Sequence, residues 1–106
     1  MKKIEAYIWR CSQAKVATAL AKIERLSGVS ACTVTGFGRS RSILRFVDFN
    51  THVKIETVCD DRLKDTVVAA ILDAARSGKR GDGKVFVSSI EEGYRIETGE
   101  LLSANP

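Results

Sequence analysis

Residues 3–9, Lys-Ile-Glu-Ala-Tyr-Ile-Trp, alternate: Ile4, Ala6 and Ile8 fall on one side and Glu5, Tyr7 and Trp9 on the other. That period of two is the signature of a half-buried strand. Immediately after it the period changes. From Ser12 to Ser27 the apolar residues Val16, Ala19, Leu20, Ile23 and Leu26 recur at steps of three and four, which predicts an amphipathic helix. Ser12 is placed to cap its start and Gly28 to close its end. A strand feeding directly into an amphipathic helix opens a layered arrangement of helix on sheet, and the rest of the chain repeats the unit.

Residues 29–37, rich in Val, Thr and Cys, predict a second strand leading into Gly36-Phe37-Gly38-Arg39, where two glycines flank an aromatic and mark a bend or close backbone approach. Leu44 to Cys59 alternates again, most cleanly at Val53, Ile55 and Thr57 against Lys54 and Glu56, and predicts strand three with a break near Asn50-Thr51. Asp60 or Asp61 caps a second helix striped by Leu63, Val67, Ala70, Ile71 and Ala74 and closed by Gly78. Lys84 to Val87 is strand four, and Tyr94 to Thr98 a short last strand or edge. The order β-α-β-β-α-β is α+β and ferredoxin-like, with two helices on one face of an antiparallel sheet. Tyr7, Trp9, Phe46 and Phe49 put aromatic surface on both strand faces, so the uncovered face is expected to oligomerise.

The 106 residues allow one small domain, residues 1–106, with about 101–106 a short polar tail. Apolar residues at 44% and charged residues at 28%, with one proline, exclude a disordered chain. No apolar run approaches the roughly 20 residues that span a bilayer, and Met1-Lys2-Lys3-Ile4-Glu5 lacks the apolar core of a signal peptide. A cytoplasmic protein without membrane insertion is the expectation. Cys11, Cys32 and Cys59 are odd in number, far apart and accompanied by a single His, so neither a disulfide framework nor a metal site is indicated. Cys32 and Cys59 lie in strand-like runs and are expected to be buried, whereas Cys11 precedes a helix that could stabilise its thiolate.

The net charge of +4 is concentrated. Residues 39–45 carry Arg39, Arg41 and Arg45 without an acid, and residues 76–84 carry Arg76, Lys79, Arg80 and Lys84 against Asp82. Cations gathered in short Gly- or Ser-containing segments suit a local anion site, or a pair of solvated loops. Gly78 to Lys84 satisfies G-x-x-x-x-G-K, but Val85 stands where a P-loop needs Ser or Thr, and the segment runs from helix to strand. It is therefore not a P-loop. Its three glycines can still turn backbone N–H groups toward a phosphate beside Lys79, Arg80 and Lys84; the alternative is a plain helix-to-strand turn with Gly78 as C-cap. His52, the one histidine, has no nucleophile near it in sequence, and no Ser-His-Asp order or acid pair suggests hydrolysis. The strands also lack the aromatic stacking motif of sheet-based RNA binders, so nucleic acid is not an expected partner.

Taken together, the opening Met1-Lys2-Lys3-Ile4-Glu5-Ala6, Gly36-Phe37-Gly38-Arg39, Val47-Asp48-Phe49, Val53-Lys54-Ile55-Glu56, Gly81-Asp82-Gly83-Lys84-Val85-Phe86-Val87 and Thr98-Gly99-Glu100 resemble the PII signal-transduction family in order and over nearly the whole chain. The resemblance implies a homotrimer with an adenine nucleotide in each of three clefts between subunits, no catalysis and no tightly bound cofactor. By similarity Gly81, Gly83 and Lys84 with Arg39 and Arg95 hold the phosphates, Ser30, Phe37, Glu56 and Val58 surround the adenine, and Gly36, Gly38 and Asp82 belong to the same two loops. Nucleotide occupancy would set the loop after Gly36-Phe37-Gly38-Arg39, which engages a transporter or enzyme of carbon or nitrogen metabolism. What this chain resembles is a divergent member. Its loop between Arg39 and Val47 is short and has no tyrosine, so uridylylation is not implied. Ser40 replaces a glutamine and His52 a lysine, which argues against 2-oxoglutarate as effector. Glu97 replaces a second arginine, and a carboxylate near a terminal phosphate is repulsive, so ADP and AMP are expected to compete well with ATP. Arg39-Ser40-Arg41-Ser42 suits a small anion such as bicarbonate. The alternative is a trimeric interaction scaffold that has lost nucleotide binding.

Overall fold

A computed structural model describes residues 1–36, 52–103 and 106. Strand β1 (Lys2–Trp9) passes through a 3-10 turn at Arg10–Ser12 into helix α1 (Gln13–Ala21), followed by β2 (Ser30–Val34) and β3 (His52–Cys59). A second 3-10 turn at Asp61–Leu63 leads into α2 (Lys64–Ala75), and β4 (Gly83–Ser89) completes the sheet. The strand order is β2-β3-β1-β4, antiparallel throughout. This is the ferredoxin-like α+β arrangement expected from the pattern.

The alternation in β1 and β3 decides which face is covered. Cross-strand partners in register share a face, and Ile4, Ala6 and Ile8 of β1 lie opposite Thr57, Ile55 and Val53 of β3. All six are buried. Val16 and Leu20 from α1 and Val67, Ile71, Ala74 and Ala75 from α2 close over them to form one core. Apolar area removed from water, worth roughly 25 cal/mol per Å², drives this layering, since neither helix is long enough to persist alone. Among the described residues Thr57 is the one buried hydroxyl in that layer, and it donates to the Gly28 carbonyl at 2.5 Å, tying the α1–β2 connection to the sheet.

Several element boundaries differ from expectation. Helix α1 ends at Ala21, not Ser27. Beyond it the chain makes successive turns, Ile23 N–H to Leu20 O at 3.0 Å and Leu26 N–H to Ile23 O at 3.1 Å. Three-residue spacing of apolar side chains fits such turns as well as it fits a helix, and Ile23 and Leu26 still pack against the core. Gly28 therefore does not close the helix, and Ser12 makes no side-chain cap, because the chain enters α1 from a 3-10 turn. Strand β2 is shorter than the expected 29–37, β4 longer than Lys84–Val87, and Tyr94–Thr98 contributes only an isolated bridge, Tyr94 to Leu101. Cys59 is buried as expected, but Cys32 is exposed, because its register with Lys54 puts it on the uncovered face of an edge strand. The part of expected strand three over residues 44–51, with Phe46 and Phe49, lies outside the described residues.

Asp60 does cap the second helical segment. Its carboxylate accepts the Arg62 N–H at 2.8 Å and is paired with the Arg62 guanidinium at 3.0 Å. These bonds hold its pKa down from 3.8 to about 2. A depressed carboxylate contributes stability that is present above the unfolded pKa and is lost as pH falls through the folded one. Thermal unfolding of the wild type is thus expected to weaken between about pH 4 and pH 2, and Asp60→Asn to flatten the curve in that window. Equal slopes for the two proteins would show that other carboxylates govern acid unfolding.

Candidate functional site

Helix α2 ends with Arg76 as its C-cap, in extended backbone, and seven residues later β4 begins at Gly83. The intervening turn is built on glycine. Gly78, Gly81 and Gly83 have φ of +84°, +83° and +117°, a region L side chains avoid. At Gly83 there is also no room. A Cβ there would stand 1.7 Å from the Tyr7 carbonyl oxygen, because Gly83 pairs with Ile8 and β4 runs tight against β1. The turn is closed from within: Asp82 accepts the Ser77 N–H at 2.8 Å and also the Ser77 hydroxyl, and Ser77 Oγ accepts the Lys79 N–H at 3.2 Å. Hydrogen bonds from the Ser77 hydroxyl, and then from its backbone, hold the Asp82 carboxyl below its ordinary value, so the group is a carboxylate at neutral pH.

Around this turn Arg76, Lys79, Arg80 and Lys84 are all exposed, and among the described residues none of them is in an ion pair. Exposed cations beside a glycine turn with positive φ make an arrangement suited chemically to an anion of the size of a phosphate. Among the described residues no cluster of three or more His, Cys, Asp or Glu is placed to hold a metal.

The helix-free face carries Ser30, Glu56 and Val58 of the expected site residues in cross-strand rows. Ser30, Glu56, Glu5 and Phe86 form one row over all four strands, and Cys32, Lys54, Tyr7 and Lys84 the next. Lys3 lies between Glu5 and Glu56 at 3.0 and 3.1 Å, and Lys54 approaches Glu56 at 3.9 Å. The Glu5 carboxyl is lowered chiefly by its bond to Lys3, and Lys3 is raised chiefly by Glu5 and then Glu56. Two aromatic pairs complete the face: Tyr7 against the Phe86 ring edge at 6.2 Å, and Trp9 on His52 at 4.3 Å. Alternation places Lys3, Glu5 and Glu56 on one face, but only the β1–β3 register brings them within reach of each other. Ser77 was likewise not among the expected site residues. The signal for it is its place between the helix end and the first glycine.

The expected residues do not all meet within one chain. Gly81, Asp82, Gly83 and Lys84 are together, and Glu56 and Ser30 are together, with Val58 half-buried one row on. Ser30 and Lys84 stand on the two outer strands, separated by β3 and β1, hence by at least roughly 14 Å at about 4.8 Å per strand. Arg95 is in a C-terminal turn held by Arg95 N–H to Glu100 O at 2.9 Å, Gly99 N–H to Arg95 O at 2.8 Å and Leu102 N–H to Gly93 O at 2.8 Å. That turn leaves Tyr94, Leu101 and a fully exposed Ile96 facing outward. Gly36 has open space about it, and Phe37, Gly38 and Arg39 lie outside the described residues. Two depressions, one between α1 and β2 lined by Leu20, Leu26 and Val29 and one between the helices lined by Thr18 and Asp73, contain none of the expected site residues.

Comparison with known proteins gives one consistent result. The profile of the family described as nitrogen regulatory protein P-II matches residues 1–100. The nitrogen regulatory protein P-II of Rhodobacter capsulatus is 44% identical over 94% of this chain and 95% of its own length. Those of Haemophilus influenzae and Nostoc punctiforme are 42% and 39% identical, each over 94% of this chain and 95% of its own length. Such proteins are regulatory signal transducers and not enzymes. A ferredoxin-like sheet, a Gly-Asp-Gly-Lys turn joining the second helix to the last strand, and a family match spanning all but the final residues lead to one conclusion: the chain belongs to the P-II family of nitrogen regulatory proteins.

Proposed function

We propose that the chain forms a cytoplasmic homotrimer that binds ADP, AMP or ATP in clefts between subunits and thereby regulates a partner transporter or enzyme of carbon or nitrogen metabolism. The observation that carries this reading is the turn over residues 77–84: three glycines at positive φ, flanked by cations with no ion-pair partner among the described residues. Lys84 and the N–H groups of Gly81 and Gly83 would receive the phosphates, with Arg95 and Arg39 as further cations. Ser30, Glu56, Val58 and Phe37 would take the adenine. The separation of Ser30 on β2 from Lys84 on β4 across the sheet supports a cleft in which one subunit's β4 side faces another's β2 side. The exposed Phe86, Tyr94, Ile96 and Leu101 supply apolar surface for such an assembly. In the same reading the cations of Arg39-Ser40-Arg41-Ser42 are suited to a small anion such as bicarbonate.

One observation favours a second reading. Glu97, two residues beyond Arg95 in the exposed C-terminal turn, brings a negative charge where a phosphate would lie, and supports a scaffold that binds protein but no nucleotide. Titration calorimetry with ATP, ADP and AMP separates the two. Saturable binding near one per subunit is expected, with ADP at least as tight as ATP, and Lys84→Ala should weaken it by about tenfold to a hundredfold, as for loss of a charge-assisted phosphate contact. No heat with any nucleotide would leave the scaffold. A monomeric mass in light scattering would remove the clefts altogether.

A further inference from the structure

We infer that Ser77 and Asp82 form a clamp that sets the anion-receiving shape of the turn between them, so that Ser77 is a positioning residue for the ligand and Asp82 acts through Ser77 rather than by touching phosphate. The inference rests on the reading of that turn as the phosphate site. Its starting point is an electrostatic conflict. Asp82 is a carboxylate set among Arg76, Lys79, Arg80 and Lys84, and an anion approaching those cations is repelled by it. If charge were all that mattered, the position would be better filled by a neutral side chain.

The hydrogen bonds give the carboxylate another role. Each of its oxygens takes one donor from Ser77: Oδ2 the backbone N–H at 2.8 Å and Oδ1 the hydroxyl. The carboxylate accepts both of them, one on each oxygen. The hydroxyl, having given its proton to Asp82, turns a lone pair to the Lys79 N–H at 3.2 Å. Ser77 thus links the residue after the helix cap, the first residue past Gly78 and the residue before Gly83 in one closed ring. Gly83 is fixed at its far side against the Tyr7 carbonyl. With both ends held, Gly78 and Gly81 keep their positive φ and the intervening N–H groups keep their directions before any ligand arrives, which lowers the ordering cost of binding.

The two views predict opposite signs. Asp82→Ala removes the repulsive charge, so a purely electrostatic turn should bind ADP more tightly. A clamp should bind it less tightly, because alanine accepts from neither Ser77 donor. The experiment is ADP titration of the full-length protein and of Asp82→Ala, Ser77→Ala and Ser77→Thr, together with residue-resolved amide exchange. Expected are about tenfold weaker binding for Ser77→Ala, where charge is unchanged, weaker binding for Asp82→Ala, and near-wild-type affinity for Ser77→Thr, whose hydroxyl restores both bonds. The Lys79 amide should exchange slowly in wild type and Ser77→Thr and faster in Ser77→Ala, with the melting temperature little changed because the turn is exposed. Tighter binding by Asp82→Ala, or unaltered affinity and Lys79 exchange in Ser77→Ala, overturns the clamp. If wild type binds no ADP, the phosphate-site reading fails and the clamp's ligand role with it. The Lys79 exchange then still decides whether the ring of bonds exists.

Discussion

Gly83→Ala is expected to lower the unfolding free energy by about 3–5 kcal/mol, combining the strain of positive φ with the overpacking of a close contact. Gly83 has φ of +117° and its missing Cβ would overlap the Tyr7 carbonyl at 1.7 Å. Both partners of that contact are backbone, so no side chain can swing aside. Relief requires β4 to move off β1 where Gly83 pairs with Ile8, and Lys84, the next residue, moves with it. Denaturant unfolding at fixed protomer concentration measures the cost, and any folded fraction should bind ADP more weakly than wild type. A loss under about 1 kcal/mol would mean that the strand end yields freely and that the close approach is not what demands glycine. Gly78 makes a useful contrast. It too has positive φ, +84°, but open space where its Cβ would go, so Gly78→Ala should cost only the φ strain, about 1–2 kcal/mol.

The second large effect lies in the core. Ile55→Ala is expected to cost about 2–5 kcal/mol, the range for deleting a large aliphatic side chain from a site that cannot collapse. Ile55 is 1% exposed at the centre of β3, in register with Ala6 on one side and Ala31 on the other. Those two alanines are too small to fill the space it vacates. Ile96 is 100% exposed, and Ile96→Ala should leave subunit stability within about 0.5 kcal/mol. Equal costs at the two positions would contradict the placement of the core on the helix-covered face.

How far the sequence carries is visible in the same residues. The period of two in residues 3–9 and 53–57 names the buried members Ile4, Ala6, Ile8, Val53, Ile55 and Thr57, and each is buried in the fold. The three- and four-residue stripes name Val16, Leu20, Val67, Ile71 and Ala74, again correctly. The same stripe overran the first helix by six residues, because side chains three apart reach the core equally from a run of turns. Cys32 is expected inside because it lies in a strand-like run, and such a run does not say which face of the strand the residue takes or whether the strand is at an edge.

Identity of the elements, their order and the family are properties of the chain itself, because alternation, apolar stripes and the Gly-Asp-Gly-Lys turn are local patterns that a folded structure only realises. The tertiary structure alone decided three things. It set the register that brings Lys3 between Glu5 and Glu56 from strands fifty residues apart. It closed the ring of bonds from Ser77 to Asp82, and it pressed Gly83 against β1 so that no other residue fits. Each depends on distances between atoms that the chain's own period does not encode: a one-residue slip in the β1–β3 pairing leaves the composition and the motifs intact while turning Glu56 away from Lys3 to the opposite face.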